Sequence, residues 1–466
     1  MKTHLVWFRR DLRVADNPAL AAACRDAGAR VMAVYCLTRQ TWQRHDVGQR
    51  QVDFMLQHVA SLSSSLAALN IPLLILDCDL YSEVTEALMA LCQQHTVKGL
   101  FTNAEYVLDE RRRDALVKKS CDQHAVDFHQ YGDRLMVSPD SLKTQQDKPY
   151  QVFTPFKKKW LNLLSLKKPF PTPTQRADIG IAPDGLPAIA VAHEHWPIGE
   201  EVAHARLQRF CENKLFDYKN KRDFPALNNT SQVSAYLSQG VLSANQCIHA
   251  MFDALQVDTI SQLCSDAGAA CWLSELIWRE FYQYIAYHFP HVCQHKPFKP
   301  ATENIVWHKN NAHLEAWKSG RTGIPIVDAA MRQLNQTGWM HNRLRMVVAM
   351  FFSKNCFLDW RLGERYFMQQ LIDGDFASNN GGWQWSASTG TDSAPYFRVF
   401  NPISQSEKFD SKGDFIRRYC PELESLTAKQ IHQPDAYGKH ELDYPPPIVD
   451  LKTTRADAIT AFKKLN

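Results

Sequence analysis

The first 130 residues alternate short apolar runs with amphipathic stretches, and this alternation limits the fold more than any other feature of the chain. The apolar runs are His4–Phe8, Val31–Leu37, Pro72–Asp77 and Gly99–Asn103. Short β-rich runs separated by stretches of helix length predict βαβ units on a parallel sheet. We therefore expect an α/β N-terminal domain over residues 1–130 with a Rossmann-like parallel sheet.

The segment after the first apolar run predicts the start of a helix. Asp16 and Asn17 are cap residues, and Pro18 follows where a missing N–H is harmless. The sequence between them and the first run is FRRDLR rather than GxGxxG. A dinucleotide cradle of the nicotinamide type is therefore not supported at this position.

The remainder of the chain divides into two parts. Residues 131–200 are rich in proline and lysine, as in PFKKKW and KKPFPTPTQ, which indicates a long linker over the surface. From residue 201 to residue 466 the apolar residues recur with helical spacing and strand signals are few. This part predicts an all-α C-terminal domain.

Composition limits the compartment and the partners. No run of about 18 apolar residues is present, so neither a membrane span nor a signal peptide is indicated and we expect a cytoplasmic protein. The 12 cysteines form no CxxC pair, which favours reduced thiols. The formal net charge is only +4, so any DNA-binding surface must be a local patch.

The stretch CWLSELIWREFYQYIAYH places aromatic and charged residues on one helical face. Trp272, Trp278 and Tyr282 by themselves would indicate an ordinary core stripe. Glu275 and Arg279 share that face, and burying them costs several kcal/mol unless partners satisfy them. A cavity lined by this face and holding a polar guest is the alternative.

The stretch TGWMHNRLRMVVAMFF leaves a similar choice open. Asn342 and Met346 lie four residues apart, with Arg343 and Arg345 beside them. An amide and a thioether on one face could contact a base-like ligand, although helix packing explains the same spacing.

Thr230, Ser231 and Ser234 form a hydroxyl cluster at the start of a helical stretch. Free N–H groups at a helix start bind phosphate or pyrophosphate, whereas simple N-capping is the plainer interpretation.

Two segments resemble metal sites, but neither fits a metal. LIDGDFASNNGGWQWSASTGTD opens like a calcium loop, yet counting from Asp373 puts Ser378 where glycine is needed and Gln384 where glutamate is needed. YHFPHVCQH has no second ligand pair with zinc spacing. We therefore predict no metal site, and the crowded short polar residues after Asp373 suit hydrogen bonding around a cofactor ring.

Taken together, WFRRDLRVADNPAL, WLSELIWREFY, VDAAMRQLNQTGWMHNRLRM and DGDFASNNGGWQWSASTGTDSAPYFRVFNP resemble the photolyase and cryptochrome family, most closely bacterial photolyases for cyclobutane pyrimidine dimers. The likeness extends over almost the whole chain. It implies an α/β domain for an antenna chromophore and a helical domain that binds FAD. It also implies a light-driven carbon–carbon lyase that is active with reduced FAD.

The resemblance implies roles for individual residues. FAD contacts are expected from Tyr218, Thr230, Ser231, Gln232, Val233, Ser234, Trp272, Arg345, Asp373, Gly374, Asp375 and Asn379, with Arg345 paired to Asp373. The damaged DNA is expected to contact Arg222, Glu275, Trp278, Arg279, Tyr282, Asn342, Arg343, Met346, Trp385 and Gln405. Trp383, Trp360 and Trp307 resemble an electron relay, and Glu275 would stabilise the dimer radical anion.

The antenna is expected to be 5,10-methenyltetrahydrofolate, at positions corresponding to Asp109, Glu110 and Cys293. Gln294 departs from the family pattern, where a lysine usually follows the cysteine, so a deazaflavin or an empty antenna site is the alternative.

The expected partner is UV-damaged DNA, without a membrane or an obligate protein partner, for a protein that acts as a monomer. A cryptochrome-type photoreceptor and a photolyase for the (6-4) lesion are the competing functions. Asn379, where many cryptochromes carry Asp or Cys, and His341 followed by Asn342 rather than paired histidines, favour repair of the cyclobutane dimer. A third competing function is that of a nucleotide-binding protein without light chemistry, which would be colourless when purified.

Overall fold

The computed structural model describes residues 2–187, 195–438 and 442–465. The chain forms two compact units. Unit 1 comprises Met1–Phe216 and Ser231–His288, and unit 2 comprises Asp217–Thr230 and Phe289–Asn466. The predicted boundaries at residues 130 and 200 stay an interpretation, because the units follow spatial contacts and each takes segments from two parts of the chain.

Unit 1 contains a parallel five-stranded sheet with the order β3-β2-β1-β4-β5. The strands are β1 (Thr3–Phe8), β2 (Arg30–Leu37), β3 (Leu73–Asp77), β4 (Val97–Asn103) and β5 (Asp127–Tyr131). The predicted α/β class and the first four strands are confirmed. The fifth strand was missed because its sequence, DFHQY, has no buried residue and lacks an apolar run.

The helices of the described residues are, in chain order, α1 (Pro18–Ala23), α2 (Arg39–Arg44), α3 (Gln49–Ala67), α4 (Tyr81–Gln94), α5 (Leu108–Gln123), α6 (Phe153–Leu163), α7 (Glu200–Asn213), α8 (Tyr218–Lys221), α9 (Ser234–Gln239), α10 (Ala244–Leu255), α11 (Ile260–Leu263), α12 (Ala267–His288), α13 (Asn311–Ser319), α14 (Pro325–Thr337), α15 (Asn342–Met350), α16 (Trp360–Gln370), α17 (Phe376–Ala387), α18 (Pro402–Phe409), α19 (Asp414–Tyr419) and α20 (Leu451–Lys463). A π-helical turn, Phe351–Asn355, follows α15.

The start of α1 agrees with its prediction from sequence. The Asn17 side chain accepts a hydrogen bond from the Leu20 N–H at 3.1 Å, and Pro18 is the first helical residue. The cap therefore satisfies one of the free N–H groups at the helix start.

The structure differs from the sequence prediction in the proposed linker, residues 131–200. This segment contains helix α6, whose Phe153, Phe156 and Trp160 are buried in unit 1. Three apolar residues spaced three and four apart form one helical face, so α6 is part of the core rather than a surface linker. Residues 188–194 of the predicted linker lie outside the described residues.

Unit 2 is built from helices around one large apolar cluster. The cluster includes Trp317 of α13, Val348 of α15, Trp360 of α16 and Trp383 of α17. This confirms the predicted helical character of the C-terminal part. In the part of the chain that the structure describes, no helix is both long enough and apolar enough to cross a membrane.

Candidate functional site

The loop between α16 and α17 carries two buried carboxylates. Asp373 and Asp375 are 7% and 8% exposed. Nη2 of Arg345 lies 3.0 Å from Oδ1 and 2.8 Å from Oδ2 of Asp373. The ion pair predicted from sequence is therefore present, and it places an anion and a cation together at the start of α17.

The first turn of α17 is held by its own cap. Oδ1 of Asp375 accepts hydrogen bonds from the Ser378 backbone N–H at 3.0 Å and from the Ser378 hydroxyl at 2.9 Å. Asp375 therefore satisfies one of the free N–H groups at the helix start and fixes the direction in which the next turn projects.

That next turn carries Asn379 and Asn380, both buried. Nδ2 of Asn379 donates to the backbone oxygen of Glu364 at 2.9 Å, and Nδ2 of Asn380 donates to Oε1 of Glu364 at 2.8 Å. Gln384 continues the network by donating to Oδ1 of Asn380 at 2.9 Å. The Asn379 side chain is thus fixed with its amide nitrogen engaged and its oxygen Oδ1 left as an acceptor.

Glu364, which joins α16 to these asparagines, was not named from sequence. In the sequence, Glu364 is one charged residue of the amphipathic stretch GERYF, and charged residues in such a stretch are usually exposed. Glu364 is 3% exposed, and its carboxylate accepts the hydrogen bond from Asn380 of α17 and lies 3.9 Å from Nδ1 of His295.

The three tryptophans of the predicted relay are associated with the same apolar cluster of unit 2. Trp383 and Trp360 are 2% and 1% exposed members of this cluster, and the partly buried Trp307 packs against it. The Trp307 ring lies 5.0 Å from Phe357, measured between centroids. The exposure of the three indoles therefore rises from the buried Trp360 and Trp383 to the partly buried Trp307, and their role as an electron relay stays a prediction.

Trp383 contacts α16 where that helix has no side chain. A Cβ atom at Gly363 would lie 2.1 Å from Cη2 of Trp383, well inside van der Waals contact. Glycine at this position therefore permits the close approach of α16 to the indole.

Two predicted phosphate-binding arginines share one carboxylate. Nη2 of Arg343 lies 2.9 Å from Oδ2 of Asp223, and Nε of Arg222 lies 3.8 Å from Oδ1 of the same residue. Asp223 was missed from sequence because it follows Arg222 in an ordinary charged stretch. This patch consequently carries a net charge of +1 rather than +2.

His341 caps the helix that carries Arg343. Its Nδ1 accepts from the Arg343 backbone N–H at 3.2 Å. Burial lowers the pKa of His341 to about 4, so the ring is neutral at physiological pH and can accept this hydrogen bond. The histidine therefore has a structural role in positioning α15.

The other predicted DNA contacts of unit 2 retain some exposure. Asn342 is exposed, while Met346, Trp385 and Gln405 are half-buried. Half-buried side chains of this kind can still contact a ligand. Their roles stay predictions.

In unit 1, α12 carries the aromatic and charged residues that the sequence singled out. Trp272 is buried and its ring lies 4.8 Å from that of Phe210, whereas Glu275, Trp278 and Tyr282 are half-buried. The helix face is therefore neither a fully buried core stripe nor a solvated surface.

Arg279 of α12 has backbone partners within its own unit. Its Nη1 donates to the Arg134 backbone oxygen at 3.0 Å and its Nη2 to the Leu237 backbone oxygen at 3.4 Å. These two bonds anchor the guanidinium to the backbone of unit 1. The predicted phosphate contact of Arg279 remains a prediction.

The predicted hydroxyl cluster lies at the start of a short helix. α9 begins at Ser234, after the buried Val233. Gln232 has a left-handed backbone conformation with a φ of 51° and accepts from Nη1 of Arg206 at 3.4 Å. Thr230 and Ser231 are half-buried just before it, and Tyr218 is buried beneath the guanidinium of Arg222 at 5.3 Å.

A small polar cavity lies at the carboxyl ends of β1, β2 and β4. It has a volume of about 30 Å³ and is lined by Trp7, Arg9, Arg10, Tyr35, Cys36, Thr38, Trp42, Met55, Tyr81, Val84, Glu105 and Arg113. Strand order reverses here, which is where α/β sheets open a crevice. This cavity was not predicted from the sequence, although two of its three arginines, Arg9 and Arg10, belong to the FRRDLR segment.

The cavity wall contains a buried ion network. Nη2 of Arg113 lies 2.6 Å from Oε2 of Glu105 and 2.8 Å from Oδ1 of Asp114. Burial raises the pKa of Glu105, but Arg113 and Arg9 outweigh it and lower that pKa to about 2. The Glu105 carboxylate is therefore charged. The cavity between these groups has room for only one or two water molecules.

Two of the predicted antenna residues lie at the start of α5, near this cavity. Oε1 of Glu110 accepts from the Tyr81 hydroxyl at 3.2 Å, and its buried Oε2 has no hydrogen-bond partner among the described residues. Asp109 lies 3.4 Å from Nε2 of His45 and 3.2 Å from Nη1 of Arg112. Cys293, the third predicted antenna residue, belongs to unit 2 and is half-buried.

Two family models match the chain. One is the FAD binding domain of DNA photolyase, over residues 272–464, and the other is DNA photolyase, over residues 4–174. A deoxyribodipyrimidine photo-lyase of Escherichia coli (strain K12) is 45% identical over 473 residues, and the match covers 99% of each chain. This chain belongs to the photolyase and cryptochrome family.

Solved structures of this family have the same fold. A bacterial class III photolyase from Agrobacterium tumefaciens matches with a TM-score of 0.88 at 33% identity, covering 100% of this chain and 98% of the other. A cryptochrome of Synechocystis sp. PCC6803 matches with a TM-score of 0.85 at 27% identity, covering 100% and 99%. Photolyase and cryptochrome share this architecture, so the fold does not separate the two functions.

The family places the FAD binding domain on the helical part that contains Asp373 and Asn379. The residues fit that group chemically. A flavin ring presents N–H donors and carbonyl acceptors along one edge, and Asp373, Arg345 and Asn379 offer acceptors and donors in this part of the chain. No group of three or more His, Cys, Asp or Glu side chains among the described residues is arranged to hold a metal ion.

Proposed function

We propose that this protein repairs cyclobutane pyrimidine dimers in DNA with blue light, as a photo-lyase that uses reduced FAD. The observation that carries the proposal is the Arg345–Asp373 pair with its buried carboxylate, together with the buried Asn379, in a chain that is 45% identical over its length to a deoxyribodipyrimidine photo-lyase. In this proposal Thr230, Ser231 and Ser234 bind the pyrophosphate. The remaining FAD contacts come from Tyr218, Gln232, Val233, Trp272, Gly374 and Asp375.

When bound, reduced FAD would supply an excited-state electron that opens the dimer ring and then returns, so the reaction is redox-neutral overall. The chain positions the reactants and provides the electrostatic environment. Glu275 would hydrogen-bond the dimer and stabilise its radical anion. Asn342 would recognise a base edge, while Trp278, Tyr282, Met346 and Trp385 would pack around the lesion.

Asn379 suits a reduced flavin better than aspartate would. Its Nδ2 is engaged by the Glu364 backbone oxygen at 2.9 Å, so Oδ1 can accept the N–H that a reduced flavin ring carries. An aspartate would bring a carboxylate oxygen against the Glu364 oxygen, and two acceptors repel each other. This geometry supports repair over the cryptochrome alternative.

The dimer has to leave the duplex to reach the flavin, at a cost of a few kcal/mol that is lower for a distorted site. Arg222, Arg279, Arg343 and Gln405 would hold the flanking phosphates. Arg343 would exchange its pair with Asp223 for a phosphate oxygen, which offers the same charge-assisted hydrogen bonds.

Trp383, Trp360 and Trp307 would carry an electron from the surface to oxidised FAD in light. We expect Trp307→Phe to abolish photoreduction, because phenylalanine is much harder to oxidise than tryptophan. Repair by enzyme that has been chemically reduced beforehand should stay nearly intact. FAD absorbance during illumination measures the first effect, and loss of both activities in Trp307→Phe would refute the relay.

For the antenna, we propose 5,10-methenyltetrahydrofolate at Asp109, Glu110 and Cys293. The unpartnered Oε2 of Glu110 fits an N–H donor such as a pterin amino group.

The decisive experiment measures dimer reversal. Reduced, purified protein is mixed with UV-irradiated oligothymidine and kept in blue light or darkness, and intact thymine is quantified by chromatography. We expect recovery only in light. No recovery with reduced FAD present would contradict the proposal and favour a cryptochrome or a (6-4) photolyase. We further propose a cytoplasmic monomer without an obligate protein partner. Sedimentation of the free and DNA-bound protein would check the oligomeric state.

A further inference from the structure

Trp278 of α12 is covered on one face by Phe153 of α6. Their ring centroids lie 3.6 Å apart and the planes are 6° from parallel. Phe153 is buried, whereas Trp278 keeps partial exposure. Isolated aromatic pairs prefer offset or edge-to-face arrangements with centroids about 4.5–7 Å apart. An almost fully overlapped stack is therefore imposed by the surrounding packing rather than by the two rings.

Helix α6 is fixed against α12 by a buried hydrogen bond, and a second aromatic residue packs in the same interface. Nε1 of Trp160 donates to Oε2 of Glu280 at 2.7 Å. The Phe156 ring lies 5.0 Å from both the Phe281 and the Tyr284 rings. The Trp160–Glu280 hydrogen bond sets the position of α6 along α12, and that position places Phe153 over the indole, whereas Phe156 fills the space beside Phe281 and Tyr284.

The chain before α6 is tied to the same helix. The Tyr150 backbone N–H donates to the Tyr284 hydroxyl at 2.9 Å, and the Met136 backbone N–H donates to Oε1 of Glu280 at 2.8 Å. Both carboxylate oxygens of Glu280 are thus engaged by separate segments. Residues before and after Phe153 in the sequence are therefore bound to α12. The Phe153 ring has little freedom to move away from Trp278.

We propose that Phe153 is a positioning residue for the dimer site, because it fixes the plane of the Trp278 indole against which the lesion packs. This inference rests on the proposed function. Stacking of a base on an aromatic side chain is worth about 1–3 kcal/mol and depends on the two planes being parallel. An indole already held in one orientation loses less side-chain freedom when the lesion binds.

Phe156 provides a matched control on the same helix. It is buried like Phe153 and belongs to the same face of α6, but its ring packs against Phe281 and Tyr284. Phe156→Leu and Phe153→Leu remove similar rings from one interface, so both should lower stability. Only Phe153→Leu should affect the lesion site selectively.

The experiment measures dark binding of the reduced holoprotein to a dimer-containing oligonucleotide by fluorescence anisotropy, with undamaged oligonucleotide as reference. We expect Phe153→Leu to weaken binding of the lesion about tenfold, with FAD content and binding of undamaged DNA unchanged. Phe153→Tyr should restore binding, and Phe156→Leu should bind like the wild type. Equal weakening in the two leucine variants, or none in either, would overturn the inference.

Trp160→Phe gives a second, milder variant in case Phe153→Leu does not fold. It removes the hydrogen bond to Glu280 and replaces the buried indole by a smaller ring, and it should weaken lesion binding in the same direction by a smaller factor. Lower stability of Trp160→Phe with unchanged lesion binding would contradict a positioning role. If the wild type neither binds nor repairs the dimer, the proposed function fails and this inference fails with it. If the wild type repairs and Phe153→Leu matches it, this inference alone fails.

Discussion

Gly363 shows how a single missing side chain can position a functional residue. A Cβ atom there would overlap the Trp383 ring at 2.1 Å, so alanine would force α16 and α17 apart or turn the indole. We expect Gly363→Ala to destabilise the protein by about 1–3 kcal/mol, as overpacked cores do. Chemical denaturation followed by circular dichroism measures this loss, and FAD absorbance reports displacement of Trp383.

Gly382 of α17 is the control for helix propensity. A Cβ atom at Gly382 would meet nothing within 4 Å, so alanine there changes only the backbone preference. Gly382→Ala should stabilise the protein by about 0.5–1 kcal/mol. If Gly363→Ala were also stabilising, the contact between Gly363 and Trp383 would not limit the packing of these helices.

Residue pairs differ in how far the sequence predicts them. The Arg345–Asp373 pair was expected from the family resemblance, and the structure confirms it. Asp223 beside Arg343 was not expected, because an ion pair between residues 120 positions apart leaves no periodic signal in the chain. Local spacing predicts which residues share a helix face, whereas partners across helices require the fold.

At the scale of whole elements, apolar runs predict strands only where the strand is buried. β1 to β4 have such runs, whereas β5 lies at the sheet edge with the polar sequence DFHQY. Helix α6 was taken for part of a linker because PFKKKW begins with proline and carries three lysines. Its spacing of Phe153, Phe156 and Trp160 was a usable helical signal that the lysines obscured.

The contact between α6 and α12 should make stability depend on pH. Burial raises the pKa of Glu280 to about 7 despite hydrogen bonds from Trp160 and Met136. Below about pH 4.5 the carboxyl is protonated in both folded and unfolded chains. As the pH rises, Glu280 ionises first in the unfolded chain. The contribution of Glu280 to the free energy of unfolding is therefore lost progressively until the pH has passed 7. The loss amounts to about 3 kcal/mol.

Glu280→Gln isolates this contribution, because glutamine does not titrate. Other carboxylates affect both proteins alike, so the informative quantity is the difference in unfolding free energy between wild type and Glu280→Gln at pH 5.5, 6.5 and 8. We expect the wild type to lose stability relative to the variant as pH rises. A difference independent of pH would show that Glu280 keeps an ordinary pKa in the folded protein.

For the whole molecule, a net charge of +4 is too small to attract DNA in general, so affinity must come from a few arginines. Three phosphate contacts, from Arg222, Arg279 and Arg343, predict a slope of log K against log salt near about −2.7. Arg343→Ala should make the slope shallower by about 0.9. Arg418→Ala removes an equal charge from an exposed position on α19 and should leave the slope unchanged.

Asp223 affects the DNA affinity in a way that the three arginines alone do not predict. It competes with phosphate for Arg343 at 2.9 Å, so Asp223→Asn should release that guanidinium and tighten DNA binding at every salt concentration. Anisotropy titrations between 50 and 200 mM salt measure both slope and affinity. A slope near zero would mean that phosphate contacts do not drive binding. Weaker binding by Asp223→Asn would show instead that Asp223 holds Arg343 in the orientation that DNA requires.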